Sequence, residues 1–261
     1  MSTLPVNLRA LKYCAALTLA VGIAAPAVAQ PIGTYRGDIH LTVLPGRAAE
    51  WQAAVKDRNA LWAKAGLTRR WNVWQSATGP TEYRIVAFYD KLAELDMLAS
   101  QDPKTKDVRG ELASVNARLQ NCSTINSRVI LQVEKDLSLP LAPVPPAMIV
   151  VSRTVIRADK ADDYLAMLKS ELWPAVKTSG VTTYGVARPR FGGPTSEFYS
   201  SASLSNWADL DDHSSIRKAM GEAKYQAFAA KASAMTMSRT QNVYRYMADL
   251  SYVPAALTAA R

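Results

Sequence analysis

One phrase that occurs twice constrains the fold of this 261-residue chain more than any other feature. GPTEYRIVAFYDKLAELD at residues 79–96 returns as GPTSEFYSSASLSNWADLD at residues 193–211, and the two leading glycines are 114 positions apart. Other landmarks keep nearly the same period: Leu61-Trp62 with Leu172-Trp173 at 111, Trp51 with Tyr164 at 113, and Asp136-Leu137-Ser138 with Asp249-Leu250-Ser251 at 113. Several matches at one period predict an internal duplication.

A proline-rich segment, LSLPLAPVPPA, lies between the two copies at residues 137–147. Its four prolines exclude a helix or a central strand, because each lacks an amide hydrogen and has a fixed φ angle. The segment is typical of a stiff, extended linker. The predicted organisation is therefore a first copy at residues 30–136, this linker, a second copy at residues 148–254 and a short tail at residues 255–261.

Both copies show the same order of patterns, β-α-β-β-α-β, which is the split βαβ unit of ferredoxin-like domains. Glycine and proline turn signals separate the pieces. The predicted strands span residues 39–44, 68–75, 82–89 and 128–133 in the first copy, and 148–156, 181–188, 197–204 and 242–247 in the second. The predicted helices span residues 47–65, 91–99 and 104–119 in the first copy, and 159–176 and 207–237 in the second.

A four-stranded antiparallel sheet with helices on one face leaves its other face bare. Large aromatic residues are expected on that bare face in both copies, and such a face has to be covered. The members of the set are Trp71 or Trp74, Tyr83, Tyr184, Phe198 or Tyr199, and Tyr244 or Tyr246. Which member of each pair faces inward stays open, because a shift of one residue exchanges the two faces. We expect the two sheets to pack face to face as an α+β barrel within one chain.

The amino terminus has the layout of a secretory signal peptide. Arg9 and Lys12 precede an apolar run at residues 13–25, and Ala27-Val28-Ala29 forms an A-x-A cleavage site. The apolar run is shorter than the ~20 residues that a membrane span needs, although an uncleaved anchor is the alternative. We expect residues 1–29 to be removed, leaving a periplasmic or secreted protein without a transmembrane segment. Cys122 would then be the only cysteine, so no intrachain disulfide is expected.

The net charge of +9 does not by itself indicate a nucleic-acid partner. The basic residues are dispersed, and the adjacent pair Arg69-Arg70 is not part of a longer basic run. No polybasic tract or aromatic-rich binding motif accompanies them. The sequence also lacks the histidine and cysteine spacings of a metal site, so no metal is expected.

Three phrases of the chain resemble the dimeric α+β-barrel superfamily, which includes antibiotic-biosynthesis-monooxygenase-like and NIPSNAP-like domains. They are VAFYDKLAELD at residues 86–96, SSASLSNWADLD at residues 200–211 and the helix-to-strand ending FAAKASAMTMSRTQNVYRY at residues 228–246. In most members of the superfamily two chains pair. The resemblance implies that the tandem copies form an internal pseudo-dimer, so that the protein is a monomer, with higher oligomers left open.

The resemblance does not decide the chemistry, because the superfamily includes cofactor-free quinol monooxygenases, haem-degrading oxygenases, chlorite-dismutase-like haem enzymes and isomerases. Its haem-degrading branch places a tryptophan and a histidine where this chain has Trp207 and His213. That branch also needs an asparagine on the first strand, and MIVVSRTVI at residues 148–156 has none. A polar helix cap is the other role for His213, and no cofactor is the favoured expectation.

Aromatic and basic residues near the predicted barrel mouth are the candidates for ligand binding. Arg188 and Arg190 could hold a carboxylate, although such arginines are more often simply solvated. The candidate residues are Trp74, Tyr83, Tyr184, Tyr199, Arg188, Arg190 and His213. No catalytic residue is identified, since no G-x-S-x-G motif or separated triad occurs.

Three functional hypotheses remain open. The first is an exported binding or accessory protein that holds a small apolar or aromatic ligand between the two sheets. The second is a cofactor-free or haem-dependent monooxygenase-like enzyme. The third is a structural or interaction domain whose barrel is filled by side chains. The sequence favours the first or third, because the polar residues that proton abstraction requires look sparse.

Overall fold

A computed structural model describes residues 32–96, 102–211 and 215–254 of the chain. The predicted signal peptide, the carboxyl-terminal tail at 255–261 and the candidate His213 lie outside these residues. Within them, no helix combines the length and the hydropathy needed to cross a membrane.

Eight strands form one antiparallel sheet in the described part of the chain, and the sheet closes on itself in the order β1-β3-β2-β8-β5-β7-β6-β4. The strands are β1 (Tyr35–Val43), β2 (Asn72–Ser76), β3 (Tyr83–Tyr89), β4 (Ser123–Val133), β5 (Met148–Ile156), β6 (Tyr184–Phe191), β7 (Glu197–Leu204) and β8 (Thr236–Tyr246). Closure comes from the pairing of β1 with β4, which runs along the full length of β1. The predicted mixed α+β class is confirmed.

The strand order is the same in both halves of the chain. Read from its last strand, each half has the order last, first, third, second: β4-β1-β3-β2 and β8-β5-β7-β6. Two seams join the halves, one where Trp74 of β2 is paired with Tyr246 of β8 and one where Leu131 of β4 is paired with Pro189 of β6. The halves are therefore continuous at their sheet edges as well as opposed across the interior.

The helices lie on the outer face of the sheet. The first half contributes α1 (Ala48–Lys64) and α2 (Arg109–Cys122), and the second contributes α3 (Ala161–Met167), α4 (Trp173–Thr178), α5 (Ala208–Asp211), α6 (Ser215–Met220) and α7 (Glu222–Met235). Short 3₁₀ turns occupy Leu92–Leu95, Pro103–Val108, Lys135–Leu137 and Ala158–Lys160. A π-helical turn at Leu168–Leu172 joins α3 to α4, next to Pro174, which has no amide hydrogen to continue the α-helical ladder.

Each half has its own hydrophobic layer between helices and sheet. In the first half Trp51, Val55 and Trp62 of α1 pack against Tyr83 and Ile85 of β3. In the second half the same kind of layer contains Val176, Tyr184, Val186, Phe198 and Phe228. Tyr83 and Tyr184 therefore lie on the outer, helix-covered face and not on the inner face, which corrects the expectation for these two residues.

The inner face carries a second set of apolar side chains drawn from both halves. Trp74 and Val86 pack with Ile149, Val151 and Tyr244. A neighbouring cluster joins Val129, Leu131 and Val133 to Ala187 and Tyr199. Because period-2 alternation sends neighbouring residues to opposite faces, Tyr199 points inward and Phe198 outward. Trp74 also points inward, and Tyr244 and Tyr246, which are two residues apart, share the inner face with it.

Three strands begin earlier than the sequence predicts. Strand β1 starts at Tyr35, before the predicted residue 39, while β4 starts at Ser123 and β8 at Thr236. The early parts of β4 and β8 are polar and exposed, so they lack the alternation from which a strand is recognised. They are held by backbone pairing with β1 and β5, and by side-chain hydrogen bonds such as that from Asn126 Nδ2 to Thr42 Oγ1 at 2.9 Å.

The proline-rich linker packs across one end of the closed sheet. Its Leu139 amide donates a hydrogen bond to the Tyr184 carbonyl at 2.8 Å. Farther along, the carbonyls of Ala142 and Pro143 accept hydrogen bonds from Arg70 Nη1 at 3.4 and 3.3 Å. The linker therefore closes this end, and we call it the closed end; the opposite end is the mouth.

Candidate binding site at the mouth of the barrel

The central strand β1 brings three ionisable side chains to the inner face. Arg36, Asp38 and His40 are two residues apart, so all three point into the interior. Strand β1 lies between β3 and β4, and His40 is the register partner of Arg84 on β3. The pattern R-x-D-x-H therefore places a line of charge along the middle of the closed sheet.

Asp38 and Arg84 form a buried ion pair at the centre of this line. Arg84 Nε donates a hydrogen bond to Asp38 Oδ1 at 2.6 Å, and Arg84 Nη2 donates a second to Oδ2. Each residue is only 1% exposed. Arg36 Nη2 lies 3.4 Å from Asp38 Oδ2 on the other side. Burial alone would raise the pKa of Asp38, but the charges and hydrogen bonds of Arg84, with Arg36, hold it at about 2.

His40 stands between two carboxylates on the mouth side of that pair. Its Nε2 lies 3.5 Å from Asp38 Oδ1, and its Nδ1 lies 3.6 Å from Glu82 Oε2. Burial lowers the pKa of His40 below its ordinary value, aided by the nearby charge of Arg84, while Asp38 and Glu82 act in the opposite direction. The imidazole is therefore neutral at pH 7, and it can accept a proton.

A cavity of about 350 Å³ opens from the mouth onto His40. Its wall combines apolar side chains with hydroxyl, amide and charged groups from both halves. The lining residues are His40, Glu82, Asn126, Ser127, Val129, Val151, Arg153, Gly192, Gly193, Pro194, Glu197, Tyr199, Thr240, Asn242 and Tyr244. The third hypothesis requires an interior filled by side chains, but this cavity leaves part of the interior open.

The second half supplies the opposite wall of the cavity. Glu197 is 1% exposed and accepts a hydrogen bond from Arg153 Nε, which keeps a buried carboxylate paired. Burial raises the pKa of Tyr199 and of Tyr244, so both phenols stay protonated at neutral pH and can donate hydrogen bonds.

The rim of the mouth depends on a glycine. Gly192 has a φ of 84°, and a Cβ built there would lie 2.5 Å from the carbonyl oxygen of Arg128 on β4. Only glycine allows the β6–β7 turn to approach β4 this closely. The turn therefore forms part of the cavity wall through Gly193 and Pro194.

A separate cavity of about 200 Å³ lies outside the barrel, between the second-half sheet and its helices. Tyr184, Tyr225 and Phe228 line its apolar part. On the sheet side, Ser152 Oγ accepts a hydrogen bond from Gln241 Nε2 at 2.8 Å. This cavity has fewer ionisable groups than the mouth.

The structure distributes the sequence-predicted candidates over several places. Tyr199 lines the mouth, and Trp74 lies toward the closed end. Tyr83 packs on Trp51 with ring centroids 4.4 Å apart, and Tyr184 lines the outer cavity.

The two predicted arginines do not meet at the mouth. Arg188 Nε donates a hydrogen bond to Glu134 at 2.7 Å, and its guanidinium lies over the ring of Phe198 on the outer face. Arg190 lies beside the exposed ring of Phe191, which favours a solvated role. Arg188 is thus already paired with a carboxylate of this chain, and the two arginines do not line the cavity at the mouth.

The sequence analysis does not identify the charged residues of the interior. Those at the mouth are His40, Glu82, Arg153 and Glu197, while Asp38 and Arg84 form the central pair and Arg36 faces the closed end. One signal was available: charged residues at alternate positions of RGDIH predict a strand with ionisable groups on one face. It was overlooked because the predicted strand began at Ile39, and the contributions of the other strands could not be aligned without the register.

Comparison with known proteins supports the fold. No family model matches the chain, and no curated protein matches its sequence. A structure of a proposed monooxygenase from Fusobacterium nucleatum matches with a TM-score of 0.59 at 10% identity, covering 82% of this chain and 93% of that one. A second proposed monooxygenase, from Lactobacillus acidophilus, has a TM-score of 0.53 at 13% identity, covering 85% and 97%. An anthrone oxidase-like protein has a TM-score of 0.51 at 13% identity, covering 82% and 92%. At these identities the similarity shows a shared fold.

Proposed function

We propose that this chain is an exported protein that binds a small aromatic molecule carrying an acidic hydroxyl group, at the mouth of the barrel. One observation carries the proposal: neutral His40, flanked by two carboxylates, opens onto a cavity of about 350 Å³. We further propose that the two halves are tandem ferredoxin-like copies, since their strand orders coincide and their landmarks recur at one period. Export follows from the signal-peptide pattern at residues 1–29.

The size and lining of the cavity favour such a ligand. Ligand sites are typically clefts of ~300–1,000 Å³ with an apolar wall and a few oriented polar groups. Val129 and Val151 give an apolar floor, and the rings of Tyr199 and Tyr244 give aromatic surface. A ligand hydroxyl that reaches His40 can give its proton to the imidazole. Burial disfavours the resulting imidazolium, but Asp38, Glu82 and the ligand anion formed beside it offset that cost.

The proposal can be tested with 4-nitrophenol, whose anion is coloured. We expect saturable binding at neutral pH together with an increase of the anion band. His40→Gln should weaken binding by about 10-fold or more, because a charge-assisted hydrogen bond contributes ~1.5–3 kcal/mol. Tyr199→Phe should weaken binding less, and Tyr83→Phe, on the outer face, is the matched control that should leave it unchanged. Equal binding by wild type and His40→Gln would contradict the site.

A second candidate is cofactor-free oxidation at the same cavity, as a monooxygenase-like enzyme. It is favoured by a neutral base on the wall of a cavity, and the fold is shared with two proposed monooxygenases and an anthrone oxidase-like protein. Its overall step converts a CH₂ group between two aromatic rings and O₂ into a ketone and water. His40 would take one proton from the CH₂ carbon, and O₂ would accept the electrons.

Anthrone is the probe for this second candidate. If the chain is an enzyme, anthraquinone should form with uptake of one O₂ per anthrone, at a rate above that measured without protein. His40→Gln should reduce this rate to that of the uncatalysed reaction. If the rate equals that without protein while 4-nitrophenol still binds, the chain is a binding protein without oxidase activity.

We propose that the site at the mouth acts without haem, which is the alternative that the resemblance raises. A haem iron needs an axial donor such as histidine. The described histidine, His40, stands between Asp38 and Glu82 on the wall of a cavity of about 350 Å³, and the other histidine, His213, lies outside the described residues. Titration with hemin should give no saturable Soret shift, and a stoichiometric shift abolished by His213→Ala would overturn this conclusion.

A further inference from the structure

We propose that the closed end of the barrel is a buried binding site for a small anion, held by Arg36. This site is separate from the mouth, because the Asp38–Arg84 pair lies between them, and it does not depend on the ligand proposed there. The anion would be a single phosphate, carboxylate or halide, since the space is small.

The closed end contains a cavity of about 70 Å³. Arg36, Trp74, Phe88, Ile149 and Thr183 face it from the barrel, and the linker segment from Leu141 to Pro146 covers it. A cavity needs only about 10–15 Å³ of such space to hold one water, so this cavity has room for a few waters or one small anion.

Two polar groups in the wall of this cavity have no hydrogen-bond partner. Arg36 is 6% exposed, and neither its Nε nor its Nη2 makes a hydrogen bond, although Nη2 lies 3.4 Å from Asp38 Oδ2. The Thr183 hydroxyl oxygen is also buried without a partner. A buried donor left unsatisfied costs ~1–3 kcal/mol, and more when it is charged. Such atoms in one small cavity indicate a missing acceptor.

The charge of the closed end points to a negative acceptor. Arg36, Arg70 and Arg84 all line the cavity, whereas none of its described lining residues is acidic. Asp38 is the carboxylate that contacts Arg36, and its two oxygens already accept the hydrogen bonds of Arg84. One carboxylate therefore serves two guanidinium groups in a dry interior, where an uncompensated charge is costly. An anion would supply both the acceptor and the charge, while water would supply the acceptor only.

The linker provides the lid of the site. Arg70 Nη1 donates to the carbonyls of Ala142 and Pro143, which holds the linker across the cavity. An anion beneath the linker would contact Arg36 only in the folded protein, so binding should stabilise the folded state.

The test is thermal unfolding of the mature chain in buffers of equal ionic strength. Phosphate, acetate and chloride are each compared with a large organic anion, which serves as the reference. We expect a saturable rise in Tm with at least one of the small anions. Arg36→Met should abolish the rise, and Thr183→Val should weaken it. Arg58→Met is the matched control, because Arg58 also has a buried Nε and Nη2 without partners but lies against Trp62 in the first-half helix layer.

Crystals grown with bromide give a direct readout that needs no variant. An anomalous peak beside Arg36 Nε, beneath the linker, would support the site. The proposal is overturned if Tm is independent of the small anions, if Arg36→Met and Arg58→Met retain equal anion effects, or if bromide is found only on the surface as an adventitious ion.

Discussion

Asp38 on β1 accepts both of its short hydrogen bonds from Arg84 on β3, and this pair divides the interior of the barrel into two compartments. His40, two residues after Asp38, faces the mouth, and Arg36, two residues before it, faces the closed end. A single strand thus contributes a proton acceptor to one compartment and a cation to the other. The ion pair holds Asp38 and Arg84 in place, because neither side chain can rotate without losing a hydrogen bond.

Removing the Asp38 charge should destabilise the protein strongly. Asp38→Asn leaves the buried Arg84 without its counter-ion, and breaking such a pair costs about 3–5 kcal/mol of unfolding free energy. Asp57→Asn is the control, because Asp57 pairs with Arg118 at 2.7 Å on an exposed surface, where about 1 kcal/mol or less is expected. Urea unfolding measures both, and similar losses in the two variants would contradict the burial of the central pair.

Stability should fall in acid as Asp38 is protonated. The folded-state pKa of about 2 is below the unfolded value of ~3.9, so the folded state binds fewer protons and the stabilisation is present above pH ~4. It is lost as the pH falls from ~4 through 2, and its size is on the order of 2 kcal/mol. Urea midpoints at pH 5 and pH 2 should differ more in wild type than in Asp38→Asn. An unchanged difference in the variant would assign the acid sensitivity to other carboxylates.

Tyr184→Ala should cost about 3–5 kcal/mol, because it removes a ring buried between the second-half sheet and its helices. The ring also packs near Trp173, with centroids 6.3 Å apart. Phe191→Ala is the comparison, since that ring is 54% exposed and its removal should change the free energy by less than about 1 kcal/mol. A loss under about 1 kcal/mol for Tyr184→Ala, measured by denaturation, would place the ring on a solvated face.

Two glycine substitutions should act in opposite directions. Gly192→Ala meets the Arg128 carbonyl oxygen at 2.5 Å with φ at +84°, so about 1–3 kcal/mol of stability should be lost and the mouth distorted. Gly110→Ala lies in α2 with nothing within 4 Å of the new Cβ, so about 0.5–1 kcal/mol should be gained. Thermal unfolding separates the two effects. A loss in Gly110→Ala as large as that in Gly192→Ala would contradict the assignment of the loss to crowding at the rim.

Element order could be read from local patterns with good accuracy, because turn residues and hydrophobic periods are local properties. Strands β5 and β7 occupy the predicted ranges, and α1 differs from its prediction by one residue at each end. The polar beginnings of β4 and β8 were missed because their side chains are exposed and their stability comes from backbone pairing.

The candidate site was less accessible to local reasoning. Tyr83 was placed on the inner face, but it faces the helices, because a register shift of one residue exchanges the faces. His40 is evident in the sequence, but the two carboxylates near its ring are far apart along the chain. Asp38 is two residues away on β1, and Glu82 lies just before β3. Their convergence depends on the pairing of β1 with β3, which no pattern within either strand contains.

The order of residues alone dictated the α+β class and the succession of strands and helices, because these follow from spacings along the chain. Only the closed sheet decided which side chains share an interior. His40, Glu197 and Tyr199 meet there through pairings between strands that are distant in sequence. A buried charge is tolerable only where its partner arrives from another strand, and that meeting is a property of the three-dimensional packing.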